Sequence, residues 1–90
     1  MWKVEYKKRF LKELSKLPWN IQSQVEKMVF EDLICKNPFD LGYLEQMKGY
    51  FEKYKIRIGQ YRIGVTLDKQ KKIIICNRIA HRKDIYRLFP

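Results

Sequence analysis

The chain is poor in the residues that build metal and redox chemistry. It has one histidine, His81, and two cysteines, Cys35 and Cys76, among 90 residues. Neither cysteine is spaced as a ligand with its partner or with His81, so no metal site and no cofactor is expected. Both cysteines lie in apolar contexts. Two reduced, buried thiols in a reducing cytoplasm are the expected state, rather than a disulfide. No run approaches membrane-spanning length. The start, MWKVEYKKRF, has no apolar core of signal-peptide length. A cytoplasmic location without membrane association is therefore expected. Internal repeats and low-complexity tracts are also absent. Acidic residues are scarce: 10 Asp and Glu stand against 20 Lys and Arg, for a net charge of +10.

Ninety residues suffice for one domain, expected to span 1–90, with one modest core. The hydrophobic fraction of 46% is that of a folded chain, which excludes a disordered basic tail. The charge excess favours a polyanionic partner: RNA, DNA, an acidic protein or a membrane surface.

The cations are patterned. In Lys53–Val65, KYKIRIGQYRIGV, a period of two sends Tyr54, Ile56 and Ile58 one way and Lys53, Lys55 and Arg57 the other. After Gly59-Gln60 the alternation resumes. Tyr61, Ile63, Val65 and Leu67 share one face, and Arg62, Gly64 and Thr66 the other. A hairpin with one apolar and one cationic face needs something anionic to meet its cations. Upstream, Trp2–Tyr6 alternates as a short strand. Phe10, Leu11, Leu14 and Leu17 then fall at helical spacing, with Lys7, Lys8, Lys12 and Lys16 on the wet side. Pro18 opens a second helix, whose stripe is Ile21, Val25, Met28, Val29 and Leu33. It ends near Lys36-Asn37-Pro38. Residues 37–49 read as an irregular connection punctuated by Pro38, Gly42 and Gly49, with Leu44 and Met47 as anchors to the core. The last strand, Ile73–Ile79, is apolar on consecutive positions and is expected to be central and covered on both faces. The tail His81–Pro90 has no clear period. The expectation is an α+β domain of order β-α-α-β-β-β, an antiparallel-rich twisted sheet with a helical hairpin on one face.

That order, the phrase Phe10-Leu11-Lys12-Glu13-Leu14 before Leu17-Pro18, the hairpin Tyr54–Arg62 and the ending His81-Arg82-Lys83-Asp84-Ile85-Tyr86-Arg87 together resemble the RelE/ParE superfamily of toxins from toxin–antitoxin modules. The resemblance spans nearly the whole chain, and its specific part is the hairpin followed by the late basic–tyrosine tail. It implies a RelE-like fold and one of two activities. RelE-like members are ribosome-dependent endoribonucleases that cut mRNA in the A site. ParE-like members poison DNA gyrase and have no nuclease activity. Fold alone does not choose between them. A non-enzymatic nucleic-acid-binding module is the third reading.

Metal-free RNA cleavage uses the 2′-hydroxyl as nucleophile. It needs a proton acceptor, cations for the phosphorane, and a donor for the leaving 5′-oxygen. The resemblance implies that Lys55 and Arg57 are the basic pair on the second strand, serving as proton acceptor or phosphate clamp. It implies that Arg62 contacts the scissile phosphate, Arg82 assists the leaving group, and Tyr86 orients or stacks on the substrate. Arg57 stands where a well-studied branch has lysine, and an arginine is a poor base. Lys55 is thus the better lysine base. The Arg82–Tyr86 spacing is tighter than in that branch. His81 is a further acid–base candidate, since some nuclease branches use a late histidine. The implied partners are mRNA on the ribosome, with 16S rRNA contacts, and a cognate antitoxin of acidic character.

Overall fold

The computed structural model describes residues 2–35 and 37–90, with the Cys35 side chain outside the description. The elements are β1 (Lys3–Tyr6), α1 (Lys8–Ser15), α2 (Trp19–Lys27), a π-helical turn (Met28–Asp32), α3 (Leu33–Cys35), a 3₁₀ turn (Pro38–Asp40), β2 (Leu44–Gln46), β3 (Lys53–Ile58), β4 (Tyr61–Asp68), β5 (Ile73–His81) and α4 (Ile85–Leu88). The strands form one five-stranded sheet in the order β1-β5-β4-β3-β2. β1 runs parallel to β5, and every other neighbouring pair is antiparallel.

The helical hairpin covers one face. Phe10 and Leu14 of α1 and Val25, Val29 and Leu33 of the second helical run are buried against Ile56, Ile63, Val65, Ile74 and Cys76. For the helices, β3 and β4, these are the residues that helical and period-two spacing put on the apolar side; Ile74 and Cys76 come from the consecutive apolar run of β5. The β3–β4 turn holds two residues, Gly59 and Gln60, with Gly59 at φ +54°, a conformation that glycine adopts without strain.

The structure departs from the sequence reading in three places. Segment 37–49 is not irregular throughout, because Leu44–Gln46 pairs with Tyr54–Ile56 as an edge strand. Three residues between Gly42 and Gly49 are too few to show a period. β5 is interior, as expected, but covered unevenly. Ile74 and Cys76 are buried beneath the helices, whereas Ile73 and Ile75 on the open face are half-buried. No helix lies over that part of the sheet among the described residues. The tail forms a short helix, α4, whose Ile85 packs with Met47 and with Phe89, just past its end, on the open face.

Phe89 explains Gly64. A Cβ at residue 64 would lie 2.4 Å from the Phe89 ring. Glycine there opens a socket through which the tail docks on the sheet.

β5 carries a bulge. Cys76 pairs with Val65 and Arg78 with Gly64, leaving Asn77 as the extra residue. Glu13 of α1 closes this break. Its carboxylate accepts the Ile79 N–H at 3.1 Å and takes Arg78 in a fork, with Nη2–Oε2 at 2.7 Å and Nε–Oε2 at 3.0 Å. Both side chains are largely removed from solvent. Glu13→Ala removes the charge partner of a mostly buried guanidinium, which keeps only the Leu88 carbonyl at 3.3 Å, and leaves the Ile79 N–H unpaired, a loss of about 2–3 kcal/mol. For a chain of this size the melting temperature then falls by roughly 10 °C or more. Thermal unfolding followed by circular dichroism measures it, and an unchanged midpoint rejects the role.

Burial pushes the Cys76 thiol up to about 12 from an ordinary 9.0. Tyr6, its register partner on β1, is raised by burial first and by the neighbouring thiolate second, and its hydroxyl donates to the Val29 carbonyl at 2.6 Å. A raised folded-state value means the protonated thiol stabilises the fold fully below pH 9, and this contribution is lost as pH rises towards 12. Chemical denaturation at pH 8 and pH 10.5 is expected to show the loss. In Cys76→Ala the alkaline loss shrinks, leaving the tyrosine contribution.

Candidate active site

Strand alternation puts Lys53, Lys55 and Arg57 on the open face of β3, across from Thr66, Gly64 and Arg62 of β4. Arg57 and Arg62 are direct register partners. Two like charges opposed on a sheet cost stability unless a counter-charge arrives. Arg57 is exposed and has no carboxylate partner among the described residues. Arg62 folds its guanidinium over the turn, where Nη1 donates to the Gly59 and Tyr61 carbonyls at 2.8 Å each. Its remaining N–H groups are unspent. Ala80, across from Arg62 on β5, is small and adds no bulk beside the guanidinium.

Arg82 lies one residue past β5. Its backbone N–H donates to the Gln60 carbonyl at 2.7 Å, which ties it to the turn over which Arg62 folds. Its side chain is exposed. Tyr86 projects from α4 with 61% of its surface exposed, and the Lys55 ammonium sits 4.5 Å from its ring centroid. Of the expected set, Lys55, Arg57 and Arg62 share the open face of the β3–β4 hairpin with Tyr86 over Lys55, and the Arg82 backbone is tied to the hairpin turn.

His81 stands apart. It pairs with Tyr61, and alternation turns both towards the helix side, away from Arg62. The two rings meet edge to face at 5.7 Å, and His81 Nδ1 accepts the Lys83 N–H at 3.2 Å. That histidine is engaged locally and does not face the cationic row.

One residue escaped the sequence reading. Glu45 of β2 is the register partner of Lys55, and its carboxylate lies 3.6 Å from Nζ. It is the only carboxylate that forms an ion pair with Lys55, Arg57, Arg62 or Arg82 among the described residues. The Lys55 side chain is 16% exposed and that of Glu45 53%, so solvent reaches the pair from the carboxylate side. Beside it, Gly42, Tyr43, Leu44, Glu45 and Arg57 line a hollow of about 170 Å³. The signal for Glu45 was hidden with the strand that carries it. A lone glutamate in a glycine-flanked segment has no partner at catalytic spacing in the sequence.

The arrangement offers an anion three kinds of contact within one patch: fixed cations on a strand pair, a carboxylate able to accept a proton, and an exposed ring. No group of three or more His, Cys, Asp or Glu among the described residues is placed to hold a metal ion.

No family model matches the chain. Individual proteins do. The chain is 38% identical over 92 aligned positions to the toxin RelE3 of Methanocaldococcus jannaschii, covering 98% of this chain and 99% of that one. It is 32% identical to the toxin RelG of Mycobacterium tuberculosis, covering 84% and 85%. Among solved structures, the RelB–RelE antitoxin–toxin complex of Methanococcus jannaschii matches with a TM-score of 0.78 at 34% identity, over 96% of this chain and 99% of that one. The isolated RelE toxin of E. coli shares the fold, with a TM-score of 0.69 at 21% identity over 98% and 94%. The mixed five-stranded sheet under a helical hairpin is the RelE fold, and the near full-length identity extends to sequence: this chain belongs to the RelE family of toxins from toxin–antitoxin modules.

Proposed function

We propose that this toxin is a ribosome-dependent endoribonuclease that cleaves mRNA in the A site and is held inactive by an acidic antitoxin. The observation that carries the reading is the convergence of Glu45, Lys55, Arg57 and Arg62 on one accessible patch beside Tyr86.

Each group has a task there. Cleavage forms a bond from the 2′-oxygen to phosphorus and breaks the bond from phosphorus to the 5′-oxygen, leaving a 2′,3′-cyclic phosphate and a 5′-hydroxyl. The Glu45 carboxylate accepts the 2′-hydroxyl proton. Lys55, beside it, moves from its carboxylate partner towards the phosphate as charge develops. Arg57 and Arg62 hold the non-bridging oxygens, where fixed donors aimed at developing charge act most strongly. Arg82, on its exposed arm, stabilises the leaving 5′-oxygen, which takes its proton from water, and Glu45 returns its own proton to solvent. The Tyr86 ring holds a splayed base by stacking. The residues form an open patch rather than a cleft, so the in-line geometry of the RNA has to come from elsewhere, which the decoding site supplies by holding the codon.

The test is primer extension on an mRNA bound in programmed ribosomes, beside the same mRNA free in solution. Cuts within the A-site codon on the ribosome, with far slower cutting of the free strand, are expected. A folded, toxic protein that makes no cuts rejects the reading and directs attention to gyrase, for which a supercoiling assay is decisive. The antitoxin assignment rests on relatives solved as RelB–RelE complexes and on the charge of +10. Co-expression with a cognate RelB-type antitoxin is expected to abolish toxicity.

A further inference from the structure

The tail divides the cationic face in two. Phe89 seats on Gly64 at the centre of the face, and Tyr86 lies over Lys55 on one side. On the other side is a second cationic surface that the proposed chemistry does not use. An open groove of about 680 Å³ runs between the start of α1 and the tail, lined by Lys7, Lys8, Arg9, Lys53 and Arg78 over the Phe89 ring.

The charges in this groove differ in how they are held. Arg78 is committed to Glu13. Lys53 donates from Nζ to Thr66 Oγ1 at 3.0 Å, and Thr66 in turn donates to Asn77 Oδ1 at 2.8 Å, which fixes the ammonium at the groove floor. None of Lys7, Lys8, Arg9 and Lys53 has a carboxylate partner among the described residues, and no acidic side chain lines the groove. Lys53 stands two residues from Lys55 on the same face of β3, one pleat repeat away. The groove therefore continues the cationic row past the point where the tail crosses it.

We infer that this groove is a second binding track for single-stranded RNA. It takes phosphates of the strand beyond the scissile bond, on the far side of the Phe89–Gly64 contact. The inference rests on the nuclease reading for the identity of the strand. Charge complementarity favours a phosphate backbone: Lys7, Lys8, Arg9 and Lys53, none with a carboxylate partner among the described residues, line one open channel whose wall is completed by Leu88, Phe89 and Pro90 and which no acidic side chain lines.

Length dependence separates the two surfaces. Binding of 2′-O-methyl RNA, which lacks the nucleophile and cannot be cut, is measured by fluorescence anisotropy with a 4-mer and a 12-mer across a salt series. The comparison is wild type against Lys7→Gln/Lys8→Gln/Arg9→Gln, three exposed positions whose replacement spares the core. Every phosphate that is no longer neutralised lowers the slope of log affinity against log salt by about 0.7 for a single strand. The triple variant is expected to lose about 2 units of slope on the 12-mer and almost none on the 4-mer. Lys53→Gln is expected to act in the same direction.

A 12-mer slope and affinity unchanged in the triple variant overturn the inference. So does an equal loss on polyglutamate of matching length, which would mark a generic anion surface. If wild type fails to cut mRNA on ribosomes yet the length-dependent loss is seen, the track stands and the nuclease reading falls. In the cleavage assay the triple variant is expected to raise KM and leave kcat unchanged.

Discussion

Glu45→Gln is expected to lower the single-turnover rate of ribosome-dependent cleavage by about 100-fold or more, the usual scale for a lost general base. The substitution preserves shape and removes only the charge and the ability to take a proton. Glu45 lies on an edge strand with its side chain 53% exposed, so the fold does not depend on it. Its one ion pair is a 3.6 Å contact with Lys55, a class of interaction worth about 0–1 kcal/mol. The melting temperature should therefore stay within a few degrees. The readout that separates catalysis from simple tethering is binding. With Glu45 neutralised, Lys55 loses a competitor for the phosphate, and 2′-O-methyl RNA should bind as well as or better than to wild type. Slower cutting with equal or tighter binding marks a proton acceptor. Cleavage at the wild-type rate would show that Glu45 only parks Lys55, and the proton would need another destination.

Arg62→Ala is expected to cost roughly 10²–10³ in cleavage rate, the scale for removing one fixed donor from a developing anion. The guanidinium is already oriented by the Gly59 and Tyr61 carbonyls at 2.8 Å, so little is lost in ordering it when substrate arrives. Those carbonyls lie at the exposed hairpin turn, where water replaces the arginine, and the stability change should be below about 1 kcal/mol. Arg62→Lys keeps the charge but loses the planar fork. It should fall between wild type and alanine, closer to alanine if two phosphate oxygens are held at once. Full cleavage by a folded Arg62→Ala protein would remove Arg62 from the site. Arg57, its register partner, would then be the next position to test.

Much of this site is legible in the sequence. Alternation in Lys53–Val65 separates the buried Ile56 and Ile63 from the exposed Arg57 because one face of that hairpin packs under helices and the other does not. The helical stripes are equally legible, since Phe10, Leu14, Val25, Val29 and Leu33 repeat at helical spacing over several turns. What stays hidden depends on contacts between distant residues. Glu45 gains meaning only when β2 adds to the sheet beside Lys55. Glu13 reads as a wet-face residue of α1 until the β5 bulge brings Arg78 and Ile79 to it. The placement of the late histidine is likewise set by strand pairing. Strand alternation turns His81 to the Tyr61 side of the sheet, away from Arg62, whereas its neighbour Arg82 lies past the strand end. Gly64 looks like a gap in the alternation and is the seat of a residue 25 positions later, Phe89.

The sheet order also governs the sequence of folding events. β5 is the last strand in the chain yet lies inside the sheet, between β1 and β4, and the parallel pair joins Lys3 to Ile73. Closing so long a loop is entropically slow and can be rewarded only once β5 exists. Until then β1 has no strand to pair with, and β4 has an open edge where β5 belongs. The short loop of the β3–β4 hairpin lets the cationic row assemble early, but the core beneath it closes late. A nascent chain therefore carries its cationic row before the core beneath it is rigid, and the row is fixed in place only when the final strand inserts.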